Sequence, residues 1–136
     1  MERYLLDTNV ISELRKLRPH GGVVEWLNHN REEQLFISAV SIGEVQAGIE
    51  LTRRQDATKA REIEGWLDHI EDSYQVLPMD IACFREWGRL RIQKPASILE
   101  DAMIAATARI HGLTVATRNA REFKEFDIQI FNPFRA

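Results

Sequence analysis

The sequence predicts an α/β fold, a three-layer α/β/α sandwich around a mainly parallel central sheet. Two observations carry this expectation. Five short runs of apolar, β-branched or aromatic residues are each bounded by polar or turn residues, and helical patterns fill the intervals between them. Strands that alternate with helices imply parallel pairing with helices on both faces of the sheet. A third observation sets the scale: 136 residues without an internal repeat or a Pro-, Gly- or Ser-rich linker point to a single domain over residues 1–136.

Taken in order, the first strand is expected over Arg3–Asp7 (RYLLD), followed by a helix over Val10–Leu17. After Gly21-Gly22 a second helical pattern covers Val23–Asn30. The second strand is Gln34–Val40, and it leads into a helical hairpin, Ser41–Arg54 and Ala57–Glu71, broken near Gln55-Asp56. A third strand, Gln75–Met79, precedes a helix over Asp80–Ile92. The last helix, Ser97–Gly112, leads into strand Leu113–Thr117, and Asp127–Asn132 closes the set.

Composition is that of a globular chain, 44% hydrophobic and 29% charged. The single cysteine, Cys83, excludes an intrachain disulfide and reads as a small core residue. No apolar run is long enough for a signal peptide or a membrane span, so a cytoplasmic protein with no membrane partner is expected. The net charge of −3 argues against indiscriminate nucleic-acid binding, but the charge is uneven. Arg85, Arg89, Arg91 and Lys94 face one acid, Glu86, and Arg118, Arg121 and Lys124 face one acid, Glu122. For the stripe Arg85, Arg89 and Lys94 a solvated helix face is the favoured reading.

Ligands of open parallel sheets sit outside the carboxyl ends of the strands. Asp7 ends the first strand, Glu44 falls in the first turn of the helix after the second, and Asp101 lies early in the helix before the fourth. Each has a structural alternative. Asp7 is a good helix cap, although Thr8 and Asn9 are candidates for the same duty. Ser41–Glu44 fits a capping box, and so does Ser97–Glu100, which leaves Asp101 without a capping task. The helix around Asp101 is apolar nearly all round, so this carboxylate is expected to be partly desolvated and in need of a cation. Asn119 or Glu122 could join the cluster, and Thr117 could orient a water or a carboxylate. Converging acids without a histidine or cysteine partner favour Mg²⁺, or Mn²⁺, over zinc. His20, His29, His69 and His111 show no metal-ligand spacing. An acidic site of this kind suits phosphodiester hydrolysis, with basic flanks to hold a polyanion.

The stretches Tyr4–Leu14, Ser38–Ile49, Glu100–Phe123 and Ile130–Phe134 resemble, in order and spacing, the PIN-domain ribonucleases. More narrowly, they are similar to the VapC toxins of type II toxin–antitoxin pairs, in the FitB-like branch. The resemblance implies an RNA substrate, a cognate VapB-type antitoxin, a homodimer and a Mg²⁺-binding acidic pocket. It implies Asp7, Glu44 and Asp101 as the first three acids, with Asp7 and Asp101 as direct metal ligands and Asn9 and Ser41 lining the pocket. At the fourth acid the chain departs from the pattern; Glu122 is favoured there, with Asn119 and Thr117 in support. As expected roles, Glu44 positions or deprotonates the attacking water, and Arg118 and Arg121 touch the substrate backbone or an antitoxin. A phosphatase using Asp7 as nucleophile would want a second aspartate where Asn9 stands. A binding module without catalysis remains the non-enzymatic alternative. The apolar edge of the helical hairpin (Val45, Ile49, Ile63, Trp66, Leu67, Ile70) suits an antitoxin groove or core packing equally.

Overall fold

A computed structural model describes residues 1–135. Strand β1 (Tyr4–Leu6) pairs in parallel with β2 (Leu35–Ser38) on one side and β4 (Thr114–Ala116) on the other. Beyond them lie β3 (Gln75–Leu77) and β5 (Ile130–Phe131), giving the order β3-β2-β1-β4-β5 with every pairing parallel. The chain thus builds outward from β1 on one side and then returns to build on the other. The order reverses between β1 and β4, which is where open α/β sheets leave a crevice.

Side chains of successive strand residues alternate between faces. Leu5, Phe36 and Val115 pack with Ala102, Ile104, Ala105 and Ala108 of α6 (Leu99–His111), with α5 (Ile81–Leu90) supporting through Trp87 and Leu90. Leu6, Ile37 and Ala116 face the other way, onto Val10 and Ile11 of α1 (Thr8–Glu13), Val23 and Leu27 of α2 (Gly21–His29) and Ile70 of α4 (Ala57–Ser73). Two helical layers around one parallel sheet confirm the sandwich. The hairpin of α3 (Ala39–Arg53) and α4 breaks where expected, with Asp56 capping α4. Its apolar edge divides in two. Ile49, Leu67 and Ile70 are buried in the core, while Val45, Ile63 and Trp66 are half-buried and line a cavity. Cys83 is fully buried, as expected of a small core residue.

The strands are shorter than the apolar runs suggest, most of all β5. Helix bounds differ as well: α1 runs Thr8–Glu13 rather than Val10–Leu17, and three further helices start elsewhere than expected. Helix α2 begins at Gly21, because the His20 ring nitrogen accepts from the Val23 N–H and caps it. Helix α3 begins at Ala39, because Ser38 accepts from the Val40 N–H, so Ser41–Glu44 is no capping box. Before α6 the chain makes a 3-10 turn over Ala96–Ile98, and Ile98 precedes the helix without a side-chain cap. Ser97–Glu100 is therefore not a box either. Glu100 and Asp101 instead lie in the first turn, where negative charge complements the helix dipole.

Helix α6 ends at Gly112 in the left-handed region (φ 64°), with the Leu113 N–H bonded to Ala108 O at 2.9 Å. A Cβ at Gly112 would meet no atom within 4 Å, so only the backbone conformation opposes a side chain. Gly112→Ala is expected to cost about 1 kcal/mol in urea unfolding, from the left-handed penalty alone.

Candidate active site

The β1–β4 register sets the site. Leu6 pairs with Ala116, and the Asp7 N–H donates to Ala116 O at 2.9 Å, so Asp7 and Thr117 leave adjacent strands side by side. Both are buried, Thr117 completely. The Thr117 hydroxyl donates to Asp7 Oδ2 (2.8 Å), and Asn9 Nδ2 donates to the same oxygen (3.2 Å). Asp7 Oδ1 accepts from the Thr8 N–H (2.8 Å). Asp7 is thus itself the cap of α1, and the other two candidates, Thr8 and Asn9, do not take that duty. Those residues have other tasks. Asn9 Oδ1 accepts from the Arg118 N–H (3.1 Å), which ties the β4 loop to α1. Thr8 Oγ1 lies 2.8 Å from Ser41 Oγ and 3.0 Å from Glu44 Oε1. Thr117 also accepts from the Asn119 N–H (2.9 Å) and so anchors the start of α7 (Ala120–Phe123), which carries Glu122.

Thr117→Val keeps the shape of this buried side chain and deletes its donor to Asp7 and its acceptor for Asn119. The expected cost is about 1–3 kcal/mol, read as a fall in melting temperature.

Glu44 sits in the second turn of α3, later than the first turn expected for it, and Asp101 sits in the first turn of α6. Burial and a carboxyl–carboxyl contact with Glu100 push Glu44 up to about 7, against the Thr8 hydrogen bond, and the charges of Glu100 and Asp7 add to the rise. Asp101 is pushed up to about 6 by burial and then by the charges of Asp7, Glu122 and Glu100. Asp7 is also raised, by burial first; hydrogen bonds from Thr117, Thr8 and Asn9 oppose the rise, and the Glu122 charge adds to it. The charges acting on these three acids are all carboxylates. Glu122, exposed on α7, is therefore near enough to act on both Asp7 and Asp101. Asn119 begins α7 and contributes its backbone N–H, and Arg118 and Arg121 are exposed at the rim.

Sequence reasoning gave Glu100 to a capping box and so missed it as a member of the cluster. Its signal was present, as a second acid beside Asp101 in an otherwise apolar helix. Thr8 was read only as a cap and proves to be the link from Ser41 to Glu44.

A divalent cation fits this donor set. Asp101 receives no hydrogen bond from the described residues, and Asp7, accepting three, has one of its roughly four lone-pair positions left. Among the described residues no three His, Cys, Asp or Glu side chains form a ready-made ligand shell.

Residues 4–129 match the model of the PIN domain, and the chain belongs to that family. It is similar to the VapC ribonuclease Y4jK of Sinorhizobium fredii, with 34% identity over 96% of this chain and 96% of that protein. To toxin FitB of Neisseria gonorrhoeae it is 33% identical, over 96% and 97%. The crystal structure of FitAcB from N. gonorrhoeae superposes with a TM-score of 0.86 at 32% identity, covering 98% of this chain and 99% of that one.

Proposed function

We propose that this chain is a Mg²⁺-dependent endoribonuclease, active also with Mn²⁺, and the toxin of a toxin–antitoxin pair. The observation that carries the reading is the crowding of Asp7, Glu44, Glu100, Asp101 and Glu122 at the β1–β4 switch point, where burial raises the pKa of Asp7, Glu44 and Asp101, the neighbouring carboxylates add to the rise, and no cation among the described residues offsets it. A fold has little reason to bear that repulsion unless a cation is to bind. The relatives named as a VapC ribonuclease and as toxin FitB support RNA as the substrate and an antitoxin as the partner.

Asp7 and Asp101 would hold the ion. When bound, it supplies a hydroxide from water near neutral pH and neutralises charge on the phosphate. Glu44, raised to about 7 and held by Thr8, exchanges its proton near neutrality and takes the proton of the attacking water. Thr117 and Asn9 keep the Asp7 carboxylate oriented, and Glu122 completes the acidic rim. Asn119, Arg118 and Arg121 lie on the substrate side. The cavity of about 340 Å³ lined by Thr8, Glu44, Val45, Ile63 and Trp66 leads from the hairpin to Glu44, and an antitoxin segment seated there would cover the site. A homodimer is the expected assembly of the toxin.

The test is incubation of structured RNA, and of DNA of the same sequence, with the purified protein in Mg²⁺ or in chelator. Internal cuts in RNA alone, in Mg²⁺ alone, are expected. Intact RNA in Mg²⁺ would contradict the reading.

A further inference from the structure

A second cavity, of about 420 Å³, has Glu122 in its wall. Arg118, Asn119, Arg121, Lys124, Asn132 and Arg135 line it, and Glu122 is its one acid. Two chain segments on either side of β5 make it: the α7 loop, and the turn that follows β5. That turn is firmly built. Asn132 Oδ1 accepts from the Phe134 N–H (2.9 Å), and the Arg135 N–H donates to Asn132 O (3.2 Å). The Phe134 ring packs edge-on to His20 at 5.3 Å and lies 3.8 Å from the Arg118 guanidinium carbon. Arg118 is thereby committed to holding the turn, with Glu13 at 3.9 Å on its other flank.

The remaining cations are unspent. Arg121, Lys124 and Arg135 are exposed, and none pairs with a carboxylate among the described residues. Three free cations and two amides around one cavity form a site for an anion with several acceptor oxygens. Guanidinium forks match phosphate in particular. The acidic centre needs such a neighbour, since its carboxylates repel the strand it has to cut.

Resting on the ribonuclease reading, we infer that this pocket holds a backbone phosphate of the RNA strand next to the one at the acidic centre. Arg121, Lys124 and Arg135 contact it, and the Asn132–Arg135 turn completes the pocket. RNA is favoured over an acidic protein segment because the cavity shares Glu122 and Asn119 with the acidic centre, so any strand threaded through that centre passes it.

The test is binding of a fluorescein-labelled single-stranded RNA oligonucleotide in chelator, by anisotropy across a KCl series. Wild type is compared with Lys124→Gln/Arg135→Gln and with Arg121→Gln; Lys59→Gln, on α4 outside the pocket, is the control. The double variant is expected to bind about tenfold more weakly, with the slope of log affinity against log salt reduced by about 0.7, as for one lost single-strand phosphate contact. Arg121→Gln is expected to move both in the same direction. Affinity and slope equal to those of the Lys59→Gln control would overturn the inference. So would a loss confined to a polyglutamate peptide, with RNA binding intact. A wild type that binds RNA through these residues but never cuts it in Mg²⁺ would support the pocket and sink the nuclease reading instead.

Discussion

Asp101→Asn is expected to lower RNA cleavage by at least ~10²-fold while raising the melting temperature of the metal-free protein. The two effects share a cause. Asp101 receives no hydrogen bond from the described residues, and the charges that act on it are Asp7, Glu122 and Glu100. Replacing it with its neutral isostere breaks no hydrogen bond and removes one member of a repelling set, a relief that outweighs the lost complement to the α6 dipole. Partial exposure screens that repulsion, so the relief is about 1 kcal/mol, or roughly 2–4 °C. The same substitution takes away a carboxylate meant for the cation, whose contribution to the transition state is several kcal/mol at 1.36 kcal/mol per tenfold. Asp7→Asn should lose as much activity but also lose stability. Its carboxylate accepts from Thr8, Asn9 and Thr117, and whichever way an amide turns, its NH₂ meets a donor. That mismatch costs about 1–3 kcal/mol. RNA cleavage together with thermal unfolding in chelator separates the two variants. A destabilised Asp101→Asn would show that Asp101 has a structural task.

The metal-free protein is expected to lose stability as pH rises from about 4 to about 7, by several degrees in melting temperature. Asp101 is raised from 3.8 to about 6 and Glu44 from 4.5 to about 7. An acid raised in the folded state holds more protons folded than unfolded between those values, so unfolding releases protons and stability falls with pH. The stabilising contribution is complete below the unfolded values and gone above the folded ones. Mg²⁺ binds the ionised carboxylates, so it should raise the melting temperature at pH 8 and do little at pH 5. Cleavage in Mg²⁺ should rise across the same window. Thermal unfolding from pH 4.5 to 8, with Mg²⁺ and with chelator, checks both halves; a metal-free melting temperature flat across that range would refute the cluster's electrostatics.

The alternation of runs and helical patterns was enough to read all five strands, because β1, β2 and β4 are largely buried and the half-buried edge strands β3 and β5 still stand as short apolar runs between turn residues. Boundaries failed where two residues could do one job. Ser38 and Ser41 are both plausible caps for α3, and the apolar Ala39-Val40 between them reads equally well as strand; only Ser38 takes the cap. Asp7, Asp101 and Thr117 were legible because strand ends and an apolar helix leave few roles for a polar side chain. Glu100 was not. Its approach to Glu44 depends on how α3 packs against α6, and neither local sequence records that. The basic pocket was half legible. Arg118 and Arg121 stood out in a charged loop, but Arg135 reaches it only because β5 pairs beside β4 and Phe134 docks on Arg118.

The most direct measurement is Mn²⁺ binding to RNA-free protein at pH 8 by electron paramagnetic resonance, for wild type and Asp101→Asn side by side. Saturable binding by wild type that weakens at least about tenfold in Asp101→Asn is the expected result. Equal binding by both, or none by wild type, would mean that these carboxylates are not a metal site.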